Sequence, residues 1–420
     1  MVYKRQVLVL ILSLMVVLVG CSNKDSVPND TGQISQRPDE NGVDQTNGNL
    51  DEKEPIDIIE EKIKSLSLEE KIGQLIITGF EGTEMNEELI SLIEEYKVGG
   101  FILFSRNITN EYQTLELLND LKKLNSKNKI PLFLSIDEEG GKVSRLPKSY
   151  IRLPEAIEFG NKNDSKLSYE LGYILGERVK ALGFNMNYSP VLDINSNPNN
   201  PVIGSRAFGS TKEAVANNGI EVMLGIKDTN VIPVVKHFPG HGDTSVDSHI
   251  KLPKVNKSKE QLKDFELIPF IEAIEKGVDA IMIAHILYPQ IDSYPASMSS
   301  ILIDELLRAE LGFNGVIISD DMTMGAIMEN YTIEEAVLSF LKAGGDLALV
   351  CHGKDNPIKV IEEIKNAVNR GEMAEEEIDK KVYRILMLKD KYDLKDVPID
   401  NIDLTDINNK TSDLISKIRN

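Results

Sequence analysis

Three of the five histidines lie within residues 236–249, Lys236-His237-Phe238-Pro239-Gly240-His241-Gly242-Asp243-Thr244-Ser245-Val246-Asp247-Ser248-His249. A carboxylate two residues before an imidazole can reach back and hold one ring nitrogen. The other nitrogen is then free to exchange a proton, which is acid/base chemistry. A metal site built from His237, His241, Asp247 and His249 is the alternative. Pro239 and Gly240 deny His237 and His241 the shared helix face such a site needs, and Lys236 would repel a cation. No glutamate follows as in the zinc-protease helix motif. The reading is therefore acid/base chemistry, with no metal and no cofactor.

Such a loop needs a scaffold. From Ile58 to about Leu388, short apolar runs alternate with amphipathic stretches. Strand candidates are 74–80, 98–104, 131–137, 184–193, 231–239, 279–287, 315–322 and 346–350. Each is bounded by Gly, Pro or a charged residue, as strands covered on both faces should be. Helical patterns lie at 111–124, 166–182, 212–227 and 333–343. Eight strands alternating with helices predict an α/β fold, a (β/α)8 barrel of the TIM type. A doubly wound open sheet is the second reading, but no Gly-x-Gly-x-x-Gly turn follows the first strand.

Catalytic groups in such a barrel come from the C-terminal strand ends. Asp137 ends the third strand, with Arg145 in the loop beyond, and Arg206 follows the fourth. Lys236 and His237 end the fifth, His285 the sixth, and Asp320 and Asp321 the seventh. One strand-end aspartate is as well explained as a helix cap, and a lone His285 as a structural histidine. Five strand ends converging on one rim carry the signal. Lysine and arginine donate to hydroxyls, and aspartate accepts from two adjacent ones. A carboxylate at the floor suits an oxocarbenium-like centre, so the set points to glycoside hydrolysis.

Composition agrees. A net charge of −20 argues against nucleic acid as a partner. Tryptophan is absent and aromatics make up 6%, so a small sugar pocket is expected rather than a long stacking cleft.

The motif 236–242 with Asp247-Ser248-His249 resembles the β-N-acetylglucosaminidase branch of glycoside hydrolase family 3. So do Asp137-Glu138-Glu139-Gly140-Gly141, Gly204-Ser205-Arg206-Ala207-Phe208-Gly209 and Gly312-Phe313-Asn314-Gly315-Val316-Ile317-Ile318-Ser319-Asp320-Asp321-Met322. The resemblance runs from about residue 58 to 390. It implies Asp320 as nucleophile of a retaining mechanism, with Asp321 as its neighbouring cap; sequence alone leaves a swap open. It implies His249 as acid/base with Asp247 as partner, and Asp137, Arg145, Arg206, Lys236 and His237 as sugar-binding positions. Many relatives carry Gln and Arg where this chain has Glu138 and Lys142, which touches fine specificity. The implied substrate is terminal non-reducing β-linked N-acetylglucosamine, from a small saccharide or muropeptide of peptidoglycan. A β-glucosidase or β-xylosidase, a phosphorolytic variant and a sugar-binding lipoprotein are the competing readings.

The N-terminus has Lys4-Arg5, an apolar stretch from Val7 to Val19, then Gly20-Cys21. This resembles a bacterial lipoprotein signal, with lipidation at Cys21; an ordinary cleaved signal is the alternative. The expected plan is a signal at 1–20, a lipidated cysteine and polar tether at 21–55, a barrel at 56–395 and a tail at 396–420. The tail is read as a docking extension or disordered. The expected protein is a monomer, anchored by lipid outside the cytoplasmic membrane. The other cysteine, Cys351, follows an apolar run and is read as a core residue.

Overall fold

The computed structural model describes residues 57–420. The expected signal, Cys21 and the tether lie outside the described residues. Eight strands, β1 (Ile76–Thr78), β2 (Gly100–Leu103), β3 (Phe133–Ile136), β4 (Met186–Asn187), β5 (Ile232–Phe238), β6 (Ala280–Ile283), β7 (Val316–Asp321) and β8 (Leu347–Val350), close into a barrel in sequence order. All pairings are parallel, and the barrel closes where β1 meets β8, Ile76 opposite Ala348. Each strand falls inside its expected run, and the open sheet is ruled out.

Helices cover the barrel because their apolar residues recur on one face. Their starts follow capping chemistry. Asn110 caps Glu111–Asn125, Asp164 caps Ser165–Leu182 and Thr211 caps Lys212–Asp228. Thr332 and Glu335 form a reciprocal capping box on Ile333–Lys342.

Three strands depart from regularity where the site lies. Proline cannot donate to a ladder, and Pro190 ends the β4 pairing early. The chain still runs beside β5: the Leu192 N–H donates to the Lys236 carbonyl (2.6 Å) and the Lys236 N–H to the Pro190 carbonyl (3.2 Å). That brings Asp193 level with His237. In β5 the register against β6 shifts between Val235 and Phe238, and in β7 the register against β8 shifts between Ile318 and Asp321. Successive side chains of a regular strand point to opposite faces. The shifts accompany two pairs of consecutive residues, Lys236/His237 and Asp320/Asp321, that all line one cavity.

Candidate active site

The cavity opens at the C-terminal mouth of the barrel and has a volume of about 310 Å³. That is at the small end for ligand pockets and matches the expectation of a compact sugar site. It is lined by seven of the eight expected chemical residues: Asp137, Arg145, Arg206, Lys236, His237, His249 and Asp320. The eighth, Asp247, reaches it through His249.

Lys236, only 2% exposed, is the centre of a charge cluster. Its ammonium bonds Asp137 Oδ1 at 2.6 Å and Glu139 Oε1 at 2.7 Å. Arg206 forks onto Glu139, Nε to Oε2 at 2.8 Å and Nη2 to Oε1 at 2.7 Å. Burial opposes charge on Glu139, but Arg206 and Lys236 outweigh it and hold the carboxyl far below the usual range. Two cations and two carboxylates thus compensate each other, and the cluster offers hydrogen bonds without net charge. Arg145 also lines the cavity, and its Nε is buried without a partner among the described residues.

The two carboxylates ending β7 are tied differently. Asp321 is saturated: Oδ1 accepts the backbone N–H groups of Thr323 (2.9 Å) and Cys351 (3.0 Å), and the Thr323 hydroxyl bonds Oδ1 at 2.6 Å and lies 2.7 Å from Oδ2. Asp320 accepts one bond, from the Asp321 N–H to Oδ1 at 2.8 Å, which leaves Oδ2 without a partner among the described residues. Burial raises its pKa, but the His285 and His237 rings and the Asp321 N–H prevail, so the carboxyl lies below its ordinary value. It is ionised at neutral pH and free to engage an electron-poor carbon.

Buried His285 supports this turn. Nε2 must donate, because its partner is the Asp321 carbonyl at 3.0 Å, so Nδ1 accepts from the Ser297 hydroxyl at 2.7 Å. Burial depresses its pKa. His285 is a structural histidine, as the single-residue reading has it.

His249 stands at the rim with its side chain 65% exposed. Asp247 Oδ1 accepts its backbone N–H at 2.9 Å and pairs with ring Nδ1 at 2.9 Å, which leaves Nε2 free. Burial opposes ionisation of Asp247, but the two His249 donors outweigh it and its pKa is lowered. The pair has the geometry the Asp-Ser-His spacing predicts.

The histidines do not converge on a common point. His237 Nδ1 pairs with Asp193 Oδ2 at 2.6 Å, whereas His241 bonds Thr244 and Ser248 through its two ring nitrogens. Among the described residues no three His, Cys, Asp or Glu side chains are grouped to hold a metal.

Two central carboxylates are absent from the expected set. Asp193, fully buried, accepts His237 at Nδ1 and the His241 N–H at 2.6 Å. It ends the fourth strand candidate, the positional signal used for the other strands. Glu139 lies inside the quoted Asp-Glu-Glu-Gly-Gly motif, and the two cations needing a buried counter-charge were both already named. Glu138 is buried against Arg178 at 3.4 Å, with a pKa raised by burial despite that charge, so it braces the loop rather than facing the cavity.

Residues 67–388 match the family model described as the glycosyl hydrolase family 3 N-terminal domain. The chain is 34% identical over 339 residues to β-hexosaminidase A of Pseudoalteromonas piscicida, covering 74% of this chain and 56% of that protein. It thus spans about half the length of that relative. It is 36% identical over 289 residues to a β-hexosaminidase of Neisseria meningitidis, covering 67% of this chain and 79% of that protein. Among solved structures, a glycoside hydrolase family 3 β-N-acetylglucosaminidase from Paenibacillus sp. superimposes with a TM-score of 0.80 at 40% identity, covering 84% of this chain and 69% of that one.

Proposed function

The chain belongs to glycosyl hydrolase family 3, and on that premise we propose that it is a retaining, exo-acting β-N-acetylglucosaminidase. The observation that carries this reading is the contrast between Asp320 and the other carboxylates around it. Asp137 and Glu139 are held by cations, and Asp193 and Asp321 by donors from other parts of the chain, while Asp320 accepts only the N–H of its neighbour Asp321, in the cavity that His249 also lines. Asp320 attacks the anomeric carbon to form a glycosyl-enzyme. His249 Nε2 protonates the departing oxygen and later takes a proton from the attacking water. Asp247 steadies the ring through Nδ1.

The exposure of His249 supplies a reason for histidine here. A carboxylic acid serves as proton donor near neutrality only when burial or a neighbouring negative charge raises its pKa. At a position 65% exposed burial gives no such help, whereas imidazole needs none. Asp137, Arg145, Arg206, Lys236 and His237 bind the terminal sugar, and the confined cavity favours removal of one end residue. Peptidoglycan fragments bearing terminal N-acetylglucosamine fit the lipoprotein-like N-terminus, which would place the enzyme outside the membrane through Cys21. Cys21→Ala should then move it from the membrane to the soluble fraction.

The deciding experiment is release of nitrophenol from the aryl β-N-acetylglucosaminide, with the aryl glucoside as comparison. Asp320→Asn should lose at least about a thousandfold in kcat. His249→Ala should stall at the intermediate and be accelerated by azide. An Asp320→Asn variant retaining most activity would remove the nucleophile assignment. Preference for the aryl glucoside would remove the sugar assignment, and sugar 1-phosphate formed in phosphate buffer would make the enzyme a phosphorylase.

A further inference from the structure

His249 makes no side-chain hydrogen bond outside its own loop: its ring partner is Asp247, two residues back. Its position over the cavity is therefore set by whatever holds the loop. Val246, His249 and Ile250 are exposed, but Ser248 between them is buried at 2%. The Ser248 hydroxyl meets Nε2 of His241 at 3.0 Å. His241 is itself fixed at three points: its N–H donates to Asp193, Nδ1 pairs with the Thr244 hydroxyl at 2.9 Å, and its carbonyl accepts from Asn200 at 2.8 Å.

A second hold comes from the far side. The Ala326 N–H donates to the Ser248 carbonyl at 3.1 Å, and the Gly325 N–H to the His249 carbonyl at 3.2 Å. Gly325 opens the short helix that follows β7, a few residues beyond Asp320. A Cβ there would stand 2.6 Å from the Ile250 carbonyl oxygen and 2.7 Å from that of His249. Both are backbone atoms, so any side chain would push the loop away.

We propose that Ser248, seated on His241, and the Gly325–Ala326 backbone together form a latch that fixes where His249 stands relative to Asp320. Asp193, His241, Ser248 and Gly325 are then positioning residues for proton transfer, acting through His249. The inference rests on the reading of His249 as acid/base. It adds that the segment carrying the nucleophile also holds the acid, so the distance between them is built into two adjacent backbone hydrogen bonds.

The test uses Ser248→Ala and Gly325→Ala separately, on two aryl β-N-acetylglucosaminides. Dinitrophenolate leaves without a proton; phenolate does not. Each variant should lose about tenfold or more in kcat/KM on the phenyl substrate but less than about twofold on the dinitrophenyl substrate, because only proton transfer is displaced. On the dinitrophenyl substrate kcat and KM should fall together as the intermediate accumulates, and azide should raise kcat. Ser248→Thr should recover most of the phenyl activity. An equal loss on both substrates, or no loss, would overturn the latch. His249→Ala in parallel separates the two readings: without a leaving-group split there, the acid/base assignment fails and the latch falls with it.

Discussion

Asp193 and His241 anchor the loop that carries His249, yet the sequence assigns Asp193 no role and His241 only that of a metal ligand in the alternative reading. Asp193 lies 44 and 48 residues from the His237 and His241 that it holds, which spacing within the 236–249 loop cannot reveal. Asp247 and His249 were legible because the partners are two residues apart, and Asp320 because it ends a strand and lies in the Gly312 to Met322 motif. His241 also has a measurable signature. Burial, together with the neighbouring His237, lowers its pKa from 6.5 to about 4. Between those values an unfolded chain takes up a proton that the folded chain refuses. Stability therefore falls as pH falls from 6.5 towards 4, by about 3.5 kcal/mol over about 2.5 units at about 1.4 kcal/mol each, and this penalty is absent above pH 6.5. Urea unfolding of wild type and His241→Gln at pH 7 and pH 4.5 would measure it. The variant should lose much less stability on acidification; identical losses would mean that His241 is not the group responsible.

At the scale of elements, composition and periodicity located all eight strands but not their irregularities. The register shifts in β5 and β7 are what accompany two consecutive cavity-facing residues in each, and a run such as Val-Val-Lys-His-Phe carries no local mark of them. The closed end of the barrel was equally hidden. The helix Glu375–Lys391 sends Lys389 beneath the strands. Its ammonium donates to Gln74 Oε1 (2.8 Å), the Gly99 carbonyl (3.0 Å) and the Pro131 carbonyl (2.7 Å), and lies 4.3 Å from the centre of the Phe133 ring. Three donors meet three acceptors just ahead of β1, β2 and β3. Burial outweighs the Asp396 carboxylate and pushes this lysine's pKa down to about 7. Lys389→Met removes the donors and leaves buried oxygens underpaired, at a cost of about 2–4 kcal/mol. Because the N-terminal face of such barrels serves stability, kcat/KM should be unchanged wherever the variant is folded. A stability loss below about 1 kcal/mol, or a fall in kcat/KM, would contradict this assignment.

For the molecule as a whole, the C-terminal segment decides how the mouth of the barrel is framed. The sequence leaves residues 396–420 open between docking and disorder, because the segment is mostly polar and a helical face says nothing of what it meets. The segment docks. Asp396 accepts from Asn125 and from the Leu132 N–H, and Ile399 exchanges two bonds of 2.8 Å with Asn119. The helix Thr405–Arg419 buries Ile407, Leu414 and Ile418, and Lys410 and Lys417 pair with Glu177 and Glu170 of the helix Ser165–Leu182. Asn408 then reaches the loop after β3, accepting the Ile151 N–H at 2.9 Å and donating to the Ser149 carbonyl at 2.9 Å. That loop carries Arg145, whose unpartnered Nε lies buried in the cavity wall. Two kinds of substitution separate anchoring from framing. Leu414→Ala should cost about 2–4 kcal/mol through the cavity it leaves, with KM unchanged while the protein is folded. Asn408→Ala should cost about 1–2 kcal/mol, for two hydrogen bonds worth about 1 kcal/mol each, and should also raise KM about threefold, because the loop then holds Arg145 less firmly near the sugar. Unfolding curves and steady-state kinetics on the aryl β-N-acetylglucosaminide give both readouts. A KM unmoved by Asn408→Ala would reduce the C-terminal helix to a stabilising cover. A raised KM would make it part of how this barrel holds its ligand.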